Sequence, residues 1–288
     1  MSEAQNIQWF PGHMTKTRRK IEAQMGLIDA VAEIVDARIP VSSRNPDLTG
    51  ILSGKPHLIL LNKTDMADPA ATAKWSDYFK QNGFCVLMAD CKNGKGIGQF
   101  EGTVKELLKD KLKQYQEKGI AGKPLRIMIV GIPNVGKSSL INRLTKGAKA
   151  KVENRPGVTR GNQWFTIGKQ LELLDTPGVL WPKFDDPIIG ERLAFTGAIH
   201  DRVVDVEWLA MRLAELLGKE YPDLLTSRFG ELDFSAEPYD LLCQIGKKRG
   251  MVIRGGEIDT ERAANMLLEE FRTGKLGRIT LERVAENA

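Results

Sequence analysis

The chain has 288 residues, 42% hydrophobic and 27% charged, with a formal net charge of +5 and three cysteines. That length holds one domain of ordinary size and a smaller companion, each able to bury a core. Without an apolar run of about 18 residues, a signal-peptide core in Met1–Lys20 or a disulfide or metal spacing among the cysteines, the expectation is a soluble cytoplasmic monomer with no membrane attachment.

In chain order, a polar, basic arm over residues 1–25 contains Trp9-Phe-Pro-Gly-His13 and then Lys16, Arg18, Arg19 and Lys20. Val31–Asp36 reads as a strand, Pro46–Leu52 as a short helix and His57–Leu61 as a buried strand. Ala70–Gln81 follows as a helix and Phe84–Met88 as a strand. Apolar positions at Ile97, Phe100, Val104, Leu107, Leu108 and Leu112 predict one long helix over 97–117. A Gly/Pro-containing stretch, 118–124, suits a linker. Leu125–Val130 is then a strand, Lys137–Leu144 a helix, and 163–167 with 170–174 a hairpin over Gly168-Lys169. Strands alternating with helices imply an α/β fold with a mostly parallel sheet. Such sheets bind ligands beyond the carboxyl ends of their strands.

The pattern turns helical beyond residue 200. Ile188–Thr196, Val206–Leu217, Tyr239–Lys248, Glu261–Thr273 and the stretch from Glu282 onward read as helices. The expected division is an arm over 1–25, an α/β domain over 26–199 and a helical domain over 200–288. Charge is uneven: 25 Lys/Arg stand against 16 Asp/Glu in residues 36–199, and 13 against 17 in residues 200–288. A basic α/β domain fits a nucleic-acid partner, and it fits an ordinary solvated surface equally.

Gly131-Ile-Pro-Asn-Val-Gly-Lys-Ser138 follows a strand and opens a helix, the context of a phosphate-binding loop. Backbone N–H groups of Asn134, Val135, Gly136, Lys137, Ser138 and Ser139 face phosphate oxygens there, beside the positive end of a helix. Lys137 reaches the β- and γ-phosphates, and the Ser138 hydroxyl is an Mg2+ ligand. Asn62-Lys63-Thr64-Asp65 looks like the guanine-reading motif of GTPases. The Asp65 carboxylate can accept from both the N1–H and the 2-amino group of guanine, a pair that adenine lacks. Asp175-Thr-Pro-Gly178 resembles the next GTPase motif, with Asp175 near Mg2+ and Gly178 N–H sensing the γ-phosphate. Thr159, in Pro156-Gly-Val-Thr159, is the expected second hydroxyl ligand of Mg2+. Asp90-Cys91-Lys92 occupies the place of a further base-contacting motif, although its first two residues depart from that pattern.

The base-reading motif precedes the phosphate loop, the reverse of the usual GTPase order, so the domain reads as circularly permuted. Where many GTPases place a water-orienting Gln after Gly178, this chain has Val179, which offers no hydrogen bond. Two substitutes present themselves. Asn134 either shapes the loop or resembles residues that hold K+ as a catalytic charge. His13, with an unperturbed pKa of about 6.5, either orients water or relays protons, or is an exposed neighbour of a docked Trp9-Phe10 pair or an RNA contact.

Trp-Phe-Pro-Gly-His-Met14, Asp36-Ala-Arg-Ile-Pro40, the permuted motif order and Asp175-Thr-Pro-Gly-Val-Leu-Trp-Pro-Lys183 together resemble the YlqF/RbgA group of ribosome biogenesis GTPases over nearly the full chain. The resemblance implies GTP hydrolysis stimulated by a large-ribosomal-subunit precursor, through its rRNA and ribosomal proteins, late in assembly. It also favours RNA binding by two basic clusters, Lys247, Lys248, Arg249 and Arg254, and Arg272, Lys275 and Arg278, which on charge alone read equally as solvated helix ends. The other readings are a non-catalytic GTP-dependent RNA scaffold and a GTPase of tRNA modification or translation. The γ-phosphate sensor lies close in sequence to the helical region, so nucleotide state is expected to set that region's orientation.

Overall fold

The computed structural model describes residues 13–120, 122–146, 151–153, 163–168, 170–181 and 183–284. By internal contacts the chain forms two compact units, the described parts of Phe10–Lys183 with Thr280–Ala288, and Phe184–Ile279.

The first unit is built on a seven-stranded sheet. Its elements are α1 (His13–Gln24), β1 (Ala30–Asp36), α2 (Pro46–Leu52), β2 (His57–Asn62), α3 (Pro69–Gln81), β3 (Cys85–Met88), α4 (Phe100–Leu107), α5 (Lys109–Glu117), β4 (Leu125–Val130), α6 (Lys137–Lys146), β5 (Lys151–Glu153), β6 (Gln163–Ile167) and β7 (Leu171–Asp175). The strand order is β3-β2-β1-β4-β7-β6-β5. The five strands from β3 to β7 in that order pair in parallel, and β7-β6-β5 is antiparallel. β1 and β4 read as continuous apolar runs because parallel central strands are covered on both faces. β1 is buried along its whole length. Of its two carboxylates, Glu33 is matched by Arg44 at 3.0 Å and His57 at 3.1 Å, as burial of a charge requires.

Permutation is visible as geometry. β4, the strand that feeds the phosphate loop, lies between β1 and β7 at the centre of the sheet. The base-reading motif leaves the carboxyl end of β2, one strand further out. All the nucleotide motifs among the described residues therefore emerge at the carboxyl ends of the parallel strands.

From His13 the basic arm is a helix. Thr17, Ile21 and Gln24 are buried, and at helical spacing they share one face. Two expectations about this unit need correction. The single helix over 97–117 is a 3-10 turn (Ile97–Gln99), α4 and α5, broken at Leu108, whose φ is −109° and ψ 21°. Ile97, Phe100, Val104 and Leu108 are buried, whereas α5 buries nothing, so packing stops holding one axis where the apolar stripe ends. Beyond residue 279 no helix forms among the described residues. Leu281 N donates to Arg38 O at 2.7 Å, tying the segment to another strand's exit loop instead.

The second unit is all helical: α7 (Pro187–Phe195), α8 (Val206–Glu220), α9 (Pro222–Phe229), α10 (Pro238–Lys248) and α11 (Thr260–Thr273). α8 packs against α10 and α11, and Leu209, Leu213 and Leu217, Leu242 and Ile245, and Leu267, Leu268 and Phe271 of these three helices are buried. Asp186, Asp205 and Asp259 cap α7, α8 and α11 with their side chains, satisfying N–H groups that have no partner in the helix. α9 was not anticipated. The unit begins at Phe184 rather than residue 200 because α7 packs with α8 and α11, and Arg272 of α11 donates to the carbonyls of Ala194 and Phe195 at 2.8 and 3.0 Å. No described helix is long and apolar enough to cross a membrane.

Candidate nucleotide site

At the base end, Asn62 holds two loops together. Its Nδ2 donates to Val135 O in the phosphate loop at 2.7 Å, and its Oδ1 accepts from Cys91 N at 2.9 Å. Lys63 takes a left-handed conformation with φ 63°, which turns Thr64 and Asp65 beyond the strand. The Lys63 Nζ lies 2.9 Å from Asp36 Oδ2, and Arg38 binds both Asp36 oxygens, with Nε at 3.0 Å and Nη2 at 2.8 Å. Burial alone would raise the Asp36 pKa, but the Arg38 and Lys63 charges outweigh it and hold the carboxyl well below the usual range. Burial also lowers the pKa of Lys63, against the opposing pull of Asp36. Asp65 is exposed at the end of this arrangement.

Asp90, Cys91 and Lys92 are less direct than expected. The Asp90 carboxylate accepts from Asn93 N at 2.9 Å and Asn93 Nδ2 at 2.6 Å, so its acceptors shape its own turn. Cys91 is buried, its thiol pushed up to about 12 by burial, and only its backbone serves the site. Lys92 is exposed, with its carbonyl accepting from Arg143. The Asp90 side chain and the Cys91 N–H are thus engaged within the protein.

At the phosphate end, Gly131–Gly136 links β4 to α6. Gly136 has φ 110°, and a Cβ there would collide with the Asn62 amide, so glycine is required for the two motifs to touch. Asn134 is exposed and left-handed, with φ 57°; Ser138 and Ser139 are exposed at the start of α6. Lys137 curls back, its Nζ donating to Gly131 O at 3.0 Å and Ile132 O at 2.8 Å. Burial lowers its pKa to about 8, opposed by the charge of Asp175. Burial raises the pKa of Asp175, against Lys137. Asp175 Oδ1 is buried without a hydrogen-bond partner among the described residues.

The segment after β7 crosses the phosphate loop closely. A Cβ at Gly178 would lie 2.7 Å from the Pro133 nitrogen. Val179 N donates to Gly131 O at 3.3 Å, and Val179 O accepts from Asn45 Nδ2 at 3.1 Å. Val179, Leu180 and Trp181 are all buried. The aliphatic side chain after Gly178 therefore serves packing and neither reaches nor orients solvent.

Thr159 and its Pro-Gly-Val-Thr loop lie outside the described residues, as does the side chain of His13, whose backbone opens α1. In the helical unit, Lys247, Lys248, Arg254, Lys275 and Arg278 are exposed. Arg272 is not a surface cation: besides the α7 carbonyls it binds Asp201 at 2.6 and 2.8 Å. Arg249 is partly committed as well, lying over the Phe229 ring at 5.0 Å and 3.5 Å from Glu270. Asp36, Arg38 and Asn45 were not assigned to the site from sequence. Asp36 and Arg38 stood in a noted motif, but only proximity in space reveals what they hold.

A phosphate loop, a guanine-reading motif beside it and a γ-phosphate-sensing loop crossing it define a P-loop GTPase with permuted motif order. A family model described as "50S ribosome-binding GTPase" matches residues 126–218, starting at β4 and leaving Asn62–Asp65 outside. Curated relatives named "Ribosome biogenesis GTPase A" include one from Bacillus licheniformis, 47% identical over 277 residues (96% of this chain, 98% of the relative). The one from Bacillus cereus is 45% identical over 280 residues (97% and 95%). The solved GDP-bound structure of YlqF from T. maritima superposes with a TM-score of 0.66 at 29% identity, covering 92% of this chain and 99% of that one. The chain belongs to the ribosome biogenesis GTPase A family. It is a GTPase that binds GTP and GDP.

Proposed function

We propose that this GTPase is a switch in late assembly of the large ribosomal subunit, docking on the precursor with GTP and leaving after hydrolysis. Its relatives are named for ribosome biogenesis, and the matched family for binding the 50S subunit. The observation that carries the reading is Val179, buried where a water-orienting side chain is needed. A site that holds GTP but lacks this group is suited to wait for a partner.

The donor set fits Mg2+: an orphaned, buried Asp175 oxygen and an exposed Ser138 hydroxyl flank the phosphate loop, a hard-oxygen pair of the kind that cation prefers. Ser138, Asp175 and Thr159 would hold the ion, which neutralises charge building on the phosphates. Lys137 turns from its loop carbonyls to the β- and γ-phosphates. Gly178 N–H donates to the γ-phosphate, and Asn62 keeps the phosphate loop in register with the base. Asn134 is assigned as the K+ ligand and His13 as the group that orients water once the precursor is bound. Lys247, Lys248, Arg254, Lys275 and Arg278 contact rRNA phosphates, sharing Arg249 between RNA and the helical core.

Turnover measured alone and with large-subunit particles, in K+ and in Na+, tests this. Stimulation by the particles, lost in Na+ and in His13→Ala, is expected. Particle binding without stimulation would make the protein a scaffold, and stimulation by tRNA instead would assign a different RNA.

A further inference from the structure

The residues that follow the helical unit fold into the GTPase unit. Thr280, Leu281 and Glu282 are nearly inaccessible, at 0%, 2% and 4% exposure. A buried carboxylate needs several donors, and Glu282 has them: Val41 N at 2.5 Å, Ser42 N at 3.0 Å and the Ser42 hydroxyl. Trp75 Nε1 donates to Glu282 O at 3.0 Å. Thr280 Oγ1 accepts from Asp68 N at 3.1 Å and donates to Ala37 O at 3.2 Å. Arg283 pairs with Asp68 at 3.2 Å, and Asp68 in turn caps α3 through Ala70 N and Ala71 N.

These contacts join two loops, 37–45 and 63–68, which leave the carboxyl ends of β1 and β2. The first begins at Asp36, the anchor of Lys63, and its Ser43 hydroxyl accepts from Asp36 N at 3.0 Å. The second carries Lys63 and Asp65. The links thus run from Glu282 to Ser42 by hydrogen bond, along the chain to Ser43, from the Ser43 hydroxyl to Asp36 N, and from the Asp36 carboxylate to Lys63. Ser42 and Glu282 are 240 positions apart in sequence.

We infer that Glu282 is a positioning residue for guanine recognition, setting the 36–43 loop from which Asp36 presents Lys63 and Asp65 to the base. It goes beyond the assembly role, because it assigns part of base specificity to the far end of the chain. It also adds a second connection: the helical unit leaves just after the γ-phosphate loop and returns at the base platform. A load on the helical unit is covalently linked to both.

The test is binding of GDP and of inosine diphosphate, which lacks the 2-amino group read by Asp65, to the full chain and to Glu282→Ala, Glu282→Gln and Thr280→Val. Glu282→Ala is expected to weaken GDP by about tenfold, and inosine diphosphate by less, so that the preference between them narrows. Glu282→Gln, which keeps an acceptor oxygen, falls between. A lowered Tm with the GDP preference intact in all variants would make the segment a structural staple and overturn the inference. If Glu282→Ala yields no soluble protein, the Gln and Val variants carry the same comparison.

Discussion

Around the base, Lys63, Asp36 and Arg38 satisfy one another, and Asn62 is satisfied by Val135 O and Cys91 N. Around the phosphates, Lys137 is turned onto its own loop and Asp175 keeps a buried oxygen without a partner among the described residues. The base platform is assembled by the fold, whereas the phosphate end holds charge whose matching groups come with the nucleotide. A GTPase that must respond to one phosphate while keeping hold of guanine benefits from this division, since only the γ-phosphate end is left free to change.

The largest effect should come from the phosphate end. Lys137→Ala removes the cation proposed to meet the β- and γ-phosphates and should weaken GTP at least ~100-fold in equilibrium binding, about 2.7 kcal/mol. Loss of binding with an unchanged Tm would place the defect in the site. Gly136→Ala attacks the seam between the two ends, forcing a Cβ onto the Asn62 amide. A loss of roughly 10- to 100-fold for GDP and GTP alike is expected; an effect on GTP alone would mean that the seam belongs to the γ-phosphate switch.

A third effect depends on pH. With its pKa lowered to about 8, Lys137 loses its proton as pH rises through that value, whereas phosphate oxygens favour the charged form. Nucleotide binding above about pH 8 should therefore take up a proton, with affinity falling towards ~10-fold per pH unit. Calorimetry in buffers of different ionisation enthalpy reads this uptake directly, and its absence would relocate the titration. The smallest effect is in rate. Val179→Gln should leave intrinsic turnover unchanged, because position 179 is enclosed, while lowering stability by about 1–3 kcal/mol from the buried amide. A gain in turnover would show that the position opens to solvent.

The motifs assigned to phosphate and guanine were legible because their chemistry fixes residue type and spacing within a few positions. The helices 206–220, 238–248 and 260–273 were legible through apolar periodicity. What escaped are partnerships across long separations. Arg272 reads as a surface cation until Asp201 and the α7 carbonyls, more than 70 positions away, are placed beside it. Glu282 reads as a helical residue until its donors at Val41 and Ser42 are known. Asp90 is different. Its turn with Asn93 is local, and an Asp three residues before an Asn N–H could have been read as a side-chain-stabilised turn.

Amide hydrogen exchange, followed in the free protein, with GDP and with a non-hydrolysable GTP analogue, tests the division between base and phosphate ends most directly. The account predicts that the backbone around residues 61–65 and 89–92 is already protected in the free protein and changes little, while 131–138 and 175–180 gain protection in steps with GDP and then the GTP analogue. Base loops that exchange freely until nucleotide binds, gaining as much protection as the phosphate loop, would contradict it.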